Sequence, residues 1–216
     1  PPRIIIGVGG SATTDGGAGM ARAMGARFLD GAGNVLPRGG AALADLERID
    51  WQPPTVLRGI ELLVATDVSN PLCGPDGAAR VYGPQKGATP AQVDQFEAAL
   101  FRYAQVLRRH FGVDAASVPG GGAAGGLAAG LAVFLGARMQ SGFDLVAATT
   151  GFNHRLAEAD VVVTGEGRFD SQSTRGKVTG RVIEAAGTAG KPVVVFAGSS
   201  LSTGGVEVRT ITNIEP

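Results

Sequence analysis

The chain repeats one pattern, a short apolar run that ends in a glycine-rich or polar loop. These runs occupy residues 4–8 (IIIGV), 60–66 (IELLVAT), 160–164 (DVVVT), 192–196 (PVVVF) and 208–214 (VRTITNI). Continuous apolar runs of this length predict strands that are buried on both faces, as in parallel sheets. Because ligands bind such sheets beyond the carboxyl ends of the strands, the loops after these runs are the candidate functional segments.

Helical segments alternate with the strands. Residues 90–109 follow a threonine and begin with a proline, which are favoured as N-cap and first helical residue. Apolar residues recur there at spacings of three and four, namely Val93, Phe96, Leu100, Tyr103 and Leu107. A second helix near residues 178–189 lies between two strand runs and predicts a βαβ unit with parallel strands. The alternation predicts an α/β fold.

Composition narrows the classes of function. The chain has 35 glycines in 216 residues without a regular period, and they cluster in a few loops. Its 19 basic and 19 acidic residues cancel, so the strongly cationic surface typical of nucleic-acid binding is not expected. A single cysteine, Cys73, cannot form an intrachain disulfide, which fits a reducing cytoplasm.

One segment has the length of a membrane span. Residues 118–137 are twenty consecutive uncharged positions, but seven of them are glycine. So many glycines make the segment too weakly hydrophobic to prefer lipid. We expect a helix of small residues buried in protein, and no membrane association.

The opening segment, residues 4–20 (IIIGVGGSATTDGGAGM), allows two interpretations. Gly7, Gly9 and Ala12 match the dinucleotide fingerprint, and Asp30 lies where a ribose-binding acid would stand. In such a site, however, the helix begins at once, whereas here more glycines follow. A pocket for a hydroxylated or phosphorylated small molecule is favoured over a structural turn, with polar side chains from Ser11, Thr13, Thr14 and Asp15.

Residues 66–90 (TDVSNPLCGPDGAARVYGPQKGATP) are too long and irregular for a simple connection. Asp67 could accept a proton from a hydroxyl, Asn70 could hydrogen-bond a substrate, and Lys86 could neutralise phosphate oxygens. The alternatives are an Asx turn at Asp67 and a solvated Lys86.

Two further loops could bind phosphate. Residues 119–126 (PGGGAAGG) form either an anion-binding glycine nest or a site of close helix packing. Residues 164–177 (TGEGRFDSQSTRGK) carry two carboxylates four positions apart, Glu166 and Asp170, which suit magnesium held partly through waters. Lys177 precedes a helix and could meet phosphate, and mutual salt bridges on a solvated loop are the alternative.

Together these four segments, in this order, resemble the bacterial type I glycerate kinase family. The resemblance implies transfer of the γ-phosphoryl group of ATP to D-glycerate, giving 2-phosphoglycerate, with Mg²⁺ as cofactor. It also implies a mixed α/β domain inserted into a flavodoxin-like parallel-sheet domain. On that template residues 1–157 belong to the inserted domain and residues 158–216 to the second half of the flavodoxin-like domain. We expect the chain to lack the family's N-terminal segment and C-terminal helices.

On this interpretation each loop takes part in the site, although the individual roles are hypotheses. The catalytic candidates are Asp67, Lys86 and Asp15, and the substrate-binding candidates are Gly9, Gly10, Ser11, Thr14, Gly16 and Asn70. The nucleotide and phosphate candidates are Gly121, Gly122, Gly165, Glu166, Gln172 and Lys177, with Glu166 and Asp170 as metal ligands. The expected partners are glycerate and ATP in the cytoplasm, with homo-oligomerisation left open. A ligand-binding chain without catalysis and an NAD-dependent oxidoreductase are the two alternatives.

Overall fold

The structure, a computed structural model, describes residues 2–170, 173, 178–201 and 205–211. The chain divides into two compact units, residues 1–140 and residues 141–216. Both are built from helices and parallel strands, so the predicted α/β class is confirmed. The first unit contains, in chain order, β1 (Arg3–Gly7), α1 (Ala18–Ala23), β2 (Arg27–Leu29), β3 (Arg48–Asp50), β4 (Glu61–Ala65), α2 (Ala78–Tyr82), α3 (Pro90–Phe111), α4 (Leu127–Leu135) and β5 (Arg138–Gln140).

The main sheet of the first unit is parallel, in the order β1-β4-β5, while β2 and β3 form a separate antiparallel pair. The central strand β4 is buried at Leu62, Leu63 and Val64. The prediction of a fully buried first strand is wrong, because Ile4 and Ile5 are 40% and 50% exposed. Strand β1 lies at the edge of this sheet, so among the described residues no strand pairs with its outer side.

Helix α3 contributes several residues to the core of the first unit. Its predicted start is confirmed. The Thr89 side chain accepts a hydrogen bond from the Gln92 amide, the Gln92 side chain accepts one from the Thr89 amide, and Pro90 is the first helical residue. The helix ends at Gly112, whose φ of 72° suits only glycine well. Its apolar face packs into a cluster that includes Leu100, Tyr103, Leu107, Phe28 and Phe134.

The uncharged segment 118–137 lies inside the first unit, as expected. It contains the 3₁₀ turn Ala123–Gly126, in which Ala124, Gly125 and Gly126 all have positive φ, and then continues as α4. Helix α4 is buried at most of its positions. Among the described residues no helix combines the length and the apolar character that crossing a membrane requires.

The second unit contains α5 (Gly142–Thr150), α6 (Phe152–Glu158), β6 (Val162–Phe169), α7 (Val178–Thr188), β7 (Val193–Ser200) and β8 (Glu207–Thr210). Its sheet is parallel in the order β6-β7-β8, and the predicted βαβ unit β6-α7-β7 is present. The expectation that a loop starts at residue 164 is wrong. Strand β6 continues to Phe169 because it pairs with β7 as far as the Phe169 and Ser200 register.

The boundary between the units differs from the proposed domain boundary at 157/158. Helices α5 and α6 precede β6 and belong to the second unit, where Phe143 stacks edge-on against Phe152. Asp144 on α5 also pairs with Arg181 on α7, with Oδ1 and Nη2 2.8 Å apart. The division therefore falls between Gln140 and Ser141, while the assignment of either unit to a named domain stays a prediction.

Candidate active site

The opening loop, residues 8–17, connects β1 to α1 and is fixed by one carboxylate. Asp15 accepts hydrogen bonds from the backbone N–H groups of Gly17, at 3.0 Å to Oδ1, and Gly19, at 2.9 Å to Oδ2. These bonds tie the loop to the first turn of the helix. Each carboxylate oxygen keeps a second lone pair with which it can accept a further hydrogen bond.

Lys86 reaches this loop from the 3₁₀ turn Pro84–Lys86. Its Nζ donates to the carbonyl oxygen of Thr13 at 2.5 Å and to Oγ of Ser11 at 3.3 Å. Burial lowers the pKa of the Lys86 ammonium below its ordinary value, and the nearby Asp15 carboxylate offsets part of that effect. The alternative of a solvated Lys86 is therefore wrong, and the predicted residues Ser11, Asp15 and Lys86 come together.

Lys86 lines two cavities of the first unit. One has a volume of about 330 Å³, and Thr13, Thr14 and Asp15 contribute to its wall. The other has a volume of about 230 Å³ and is lined by residues that include Gly9, Gly10, Ser11 and Tyr82. An ammonium group at the wall of both cavities can neutralise an anionic group bound in either one.

Asn70 has a bracing role within its own segment. Its Oδ1 accepts a hydrogen bond from the Tyr82 hydroxyl at 2.6 Å, and its Nδ2 donates to the Asp76 carbonyl at 2.9 Å. Asp67 is exposed and lies two positions beyond the end of β4. Substrate binding by Asn70 and proton transfer to Asp67 stay predictions.

The glycine segment 119–126 is packed tightly against its neighbours. A Cβ at Gly122 would lie 2.3 Å from the Pro71 carbonyl oxygen, and one at Gly125 would lie 1.9 Å from that of Thr13. The amides of Gly121 and Gly122 donate to backbone carbonyls, at 2.9 Å in both cases. These contacts support the close-packing interpretation, while phosphate binding by Gly121 and Gly122 stays a prediction.

The second unit holds the remaining candidates. Gly165 and Glu166 lie within β6, and Oε1 of Glu166 is buried without a hydrogen-bond partner in the described part of the chain. Asp170 follows the strand, with its Oδ2 3.9 Å from Nε of Arg168. Gln172 and Lys177 lie outside the described residues.

Sequence reasoning missed several residues around the opening loop. Gly40 packs against it so closely that a Cβ would lie 1.9 Å from the Thr14 carbonyl oxygen. Arg22 and Arg38 line a third cavity beside Asp15. The glycine pair in PRGG, residues 37–40, was the available signal for this loop, since paired glycines marked the other loops. No local sequence pattern identifies Arg22 as a candidate site residue, because it lies on the short helix α1.

Comparison with known proteins identifies the family. The sequence profile described as the Glycerate kinase family matches residues 1–214. The chain belongs to the glycerate kinase family. Among its relatives are a glycerate kinase of Halalkalibacterium halodurans, 48% identical over 198 residues, and the glycerate 2-kinase of Escherichia coli K12, 45% identical over 204 residues.

These alignments cover 91% and 94% of this chain, but 52% and 54% of the two relatives. The chain thus spans about half the length of the curated relatives it matches. A crystal structure of a protein assigned as glycerate kinase 2 from Salmonella typhimurium LT2 superposes with a TM-score of 0.78 at 44% identity. That match covers 99% of this chain and 58% of the other.

Membership of the glycerate kinase family disagrees with the dinucleotide interpretation, as does the geometry. Helix α1 begins only at Ala18, so it does not follow the first glycines directly. The Asp30 carboxylate instead accepts hydrogen bonds from the amides of Ala32 and Asn34, at 2.9 and 2.8 Å, and closes a local turn.

Proposed function

We propose that this chain carries phosphoryl-transfer residues of an ATP-dependent kinase that converts D-glycerate to 2-phosphoglycerate with Mg²⁺. The observation that carries the proposal is the Lys86 ammonium, held against the opening loop at the wall of two cavities. Phosphoryl transfer depends mostly on positioning and on neutralising charge, and a fixed cation beside a polar loop supplies both.

Asp15 is the better candidate for the group that accepts the proton of the reacting hydroxyl. It lines the same cavity as Lys86, whereas Asp67 is exposed at the end of β4. The backbone bonds from Gly17 and Gly19 hold the Asp15 carboxylate in one orientation. An acceptor hydroxyl beside it would donate to a free lone pair and would pass its proton to Asp15 as its oxygen bonds the γ-phosphorus of ATP, while the bond from that phosphorus to the bridging oxygen breaks and ADP leaves.

Mg²⁺ and ATP are assigned to the second unit. Magnesium is commonly held by one or two carboxylates together with waters and substrate phosphates. The buried Oε1 of Glu166, which has no hydrogen-bond partner among the residues that the structure describes, fits one such ligand. Glu166 and Asp170 are four positions apart along an extended segment, so their Cα atoms are roughly 13 Å apart. We therefore expect Glu166 to contact the ion directly and Asp170 to act through water. Bound magnesium would neutralise charge on the nucleotide phosphates.

The test is the Lys86→Met variant of the full-length gene product, assayed for ADP release with Mg-ATP and D-glycerate. We expect kcat to fall on the order of 100-fold, because the phosphoryl oxygens lose a positioned cation. Lys191→Met is the matched control and should keep kcat, because Lys191 lies two residues before β7, at the end of that strand remote from Ala197, which pairs with Glu166. Phosphorus NMR of the product identifies the esterified hydroxyl. Undiminished kcat in Lys86→Met would remove this residue from the chemistry.

A further inference from the structure

A third cavity adjoins the cavity of Lys86 and is lined by two arginines. It has a volume of about 320 Å³ and shares Asp15 and Gly39 with the Lys86 cavity. Arg22 and Arg38 contribute its long polar side chains, and the rest of its wall is small: Ala18, Gly19 and Ala23. Small walls leave both guanidinium groups accessible to a bound molecule.

Arg22 is held in a defined orientation. Its Nη1 donates to the Leu36 carbonyl at 3.0 Å, and its guanidinium carbon lies 5.2 Å from the ring centre of the fully buried Phe28. Stacking on an aromatic face and a backbone acceptor fix the plane of the guanidinium, which leaves its other N–H donors for a ligand.

Within the described residues, these two arginines lack the carboxylate partner that several other arginines of this unit have. Arg102 and Arg109 both pair with Glu47, whereas no ion pair of Arg22 or Arg38 occurs in the part of the chain that the structure describes. Burial and the like charge of Arg38 lower the pKa of Arg22, and the Asp15 carboxylate only partly compensates. Two converging cations beside one carboxylate leave a net positive cavity, and an anion bound between them would relieve their repulsion.

We infer that the Arg22–Arg38 cavity binds the carboxylate of the acceptor substrate, an inference that rests on the proposed kinase function. A guanidinium matches a carboxylate with two parallel hydrogen bonds. Asp15 belongs to this cavity and to that of Lys86, so a three-carbon acid held here by its carboxylate has the reacting hydroxyl of its second carbon next to Asp15, at the cavity that Lys86 lines. The cavity therefore selects hydroxy acids over neutral polyols.

The test compares Arg38→Gln and Arg22→Lys with the control Arg58→Gln in the full-length gene product. Arg58 is an exposed arginine that lines none of these three cavities. We expect Arg38→Gln to raise the KM for D-glycerate on the order of tenfold, with the KM for ATP unchanged. Arg22→Lys keeps the charge but loses the paired donors, and it should raise the same KM. Arg58→Gln should leave both values as they are.

The outcomes separate the two proposals. Absence of turnover of D-glycerate by the unmodified protein contradicts the kinase function itself. Normal turnover with an unchanged glycerate KM in Arg38→Gln and Arg22→Lys overturns the carboxylate site alone. Thermal unfolding of each variant checks that it is folded, and Arg38→Gln keeps the test valid if Arg22→Lys is unstable, because Arg38 is exposed. A parallel rise in the ATP KM would also overturn the assignment, since it would show a general disturbance of the site.

Discussion

The two glycine-rich segments of the first unit, residues 9–17 and 119–126, have similar composition, but the first two glycines of one and the glycines of the other have different environments. A Cβ added at Gly9 or Gly10 would meet nothing within 4 Å. At Gly122 and Gly125 it would lie 2.3 and 1.9 Å from carbonyl oxygens of neighbouring segments. At Gly9 and Gly10 the absence of a side chain leaves the cavity wall open, whereas at Gly122 and Gly125 it allows two backbones to approach closely.

The two segments are also in contact, which explains why both are needed. The Gly16 amide donates to the Gly125 carbonyl at 3.0 Å, and Gly125 packs against Thr13. The Thr13 carbonyl oxygen in turn accepts a hydrogen bond from the Lys86 ammonium. The packed segment, residues 119–126, thus supports the backbone of the open segment, residues 9–17. A cluster of glycines is therefore not by itself evidence of a phosphate site.

The largest expected effect is that of Gly125→Ala, which would break the contact between the segments. The new methyl group meets the Thr13 carbonyl at a residue with φ of 67°, so we expect a loss of about 3 kcal/mol or more in the free energy of unfolding. Gly9→Ala is the matched change in the open segment and should cost less than about 1 kcal/mol. Urea unfolding followed by the fluorescence of Trp51, which packs on Phe134, measures both. Equal losses would refute the contrast.

The second prediction concerns the pH dependence of activity, which tests the role of the Lys86 charge beside the open segment. Because burial lowers the pKa of Lys86 from 10.5, its positive charge is lost at a lower pH than in an ordinary lysine. Activity that needs the protonated form should therefore decline on the alkaline side before that value is reached. Lys86→Arg keeps its charge throughout this range, so the alkaline decline of its remaining activity should move to higher pH.

The pH profile of kcat measures this shift, and Lys191→Arg is the control that should leave the profile unchanged. If the alkaline limb of Lys86→Arg coincides with that of the unmodified protein, another group controls it.

The smallest expected effect concerns the brace of the packed segment. Tyr82→Phe removes the hydroxyl that donates to Asn70, whose backbone carbonyl accepts the Gly122 amide. We expect a loss of about 1 kcal/mol in the free energy of unfolding. Tyr103→Phe is the matched control, because the buried Tyr103 hydroxyl has no hydrogen-bond partner among the described residues. Its removal should be neutral or stabilising in the same unfolding experiment, and a larger loss for Tyr103→Phe would contradict the assignment.

Local patterns predicted the elements that depend on local physics. Helix α3 was predicted from a capping pair and a regular apolar face, and strands β4, β6 and β7 were predicted from apolar runs. The short strands β2, β3 and β5 were missed because each has only three residues, too few to show a period. The exposure of β1 was mispredicted because an apolar run does not reveal its position at a sheet edge.

The sequence by itself determined the α/β class, the family through four ordered motifs, and the candidate residues Asp15 and Lys86. Only the tertiary structure decided that Lys86 meets Thr13, 73 positions away, and that Arg22 and Arg38 face one cavity. Hydrogen bonding within a helix turn or a cap links neighbours in sequence, so its signals are readable locally. Which distant side chains meet depends on how the elements pack, and that is fixed by the burial of the whole core.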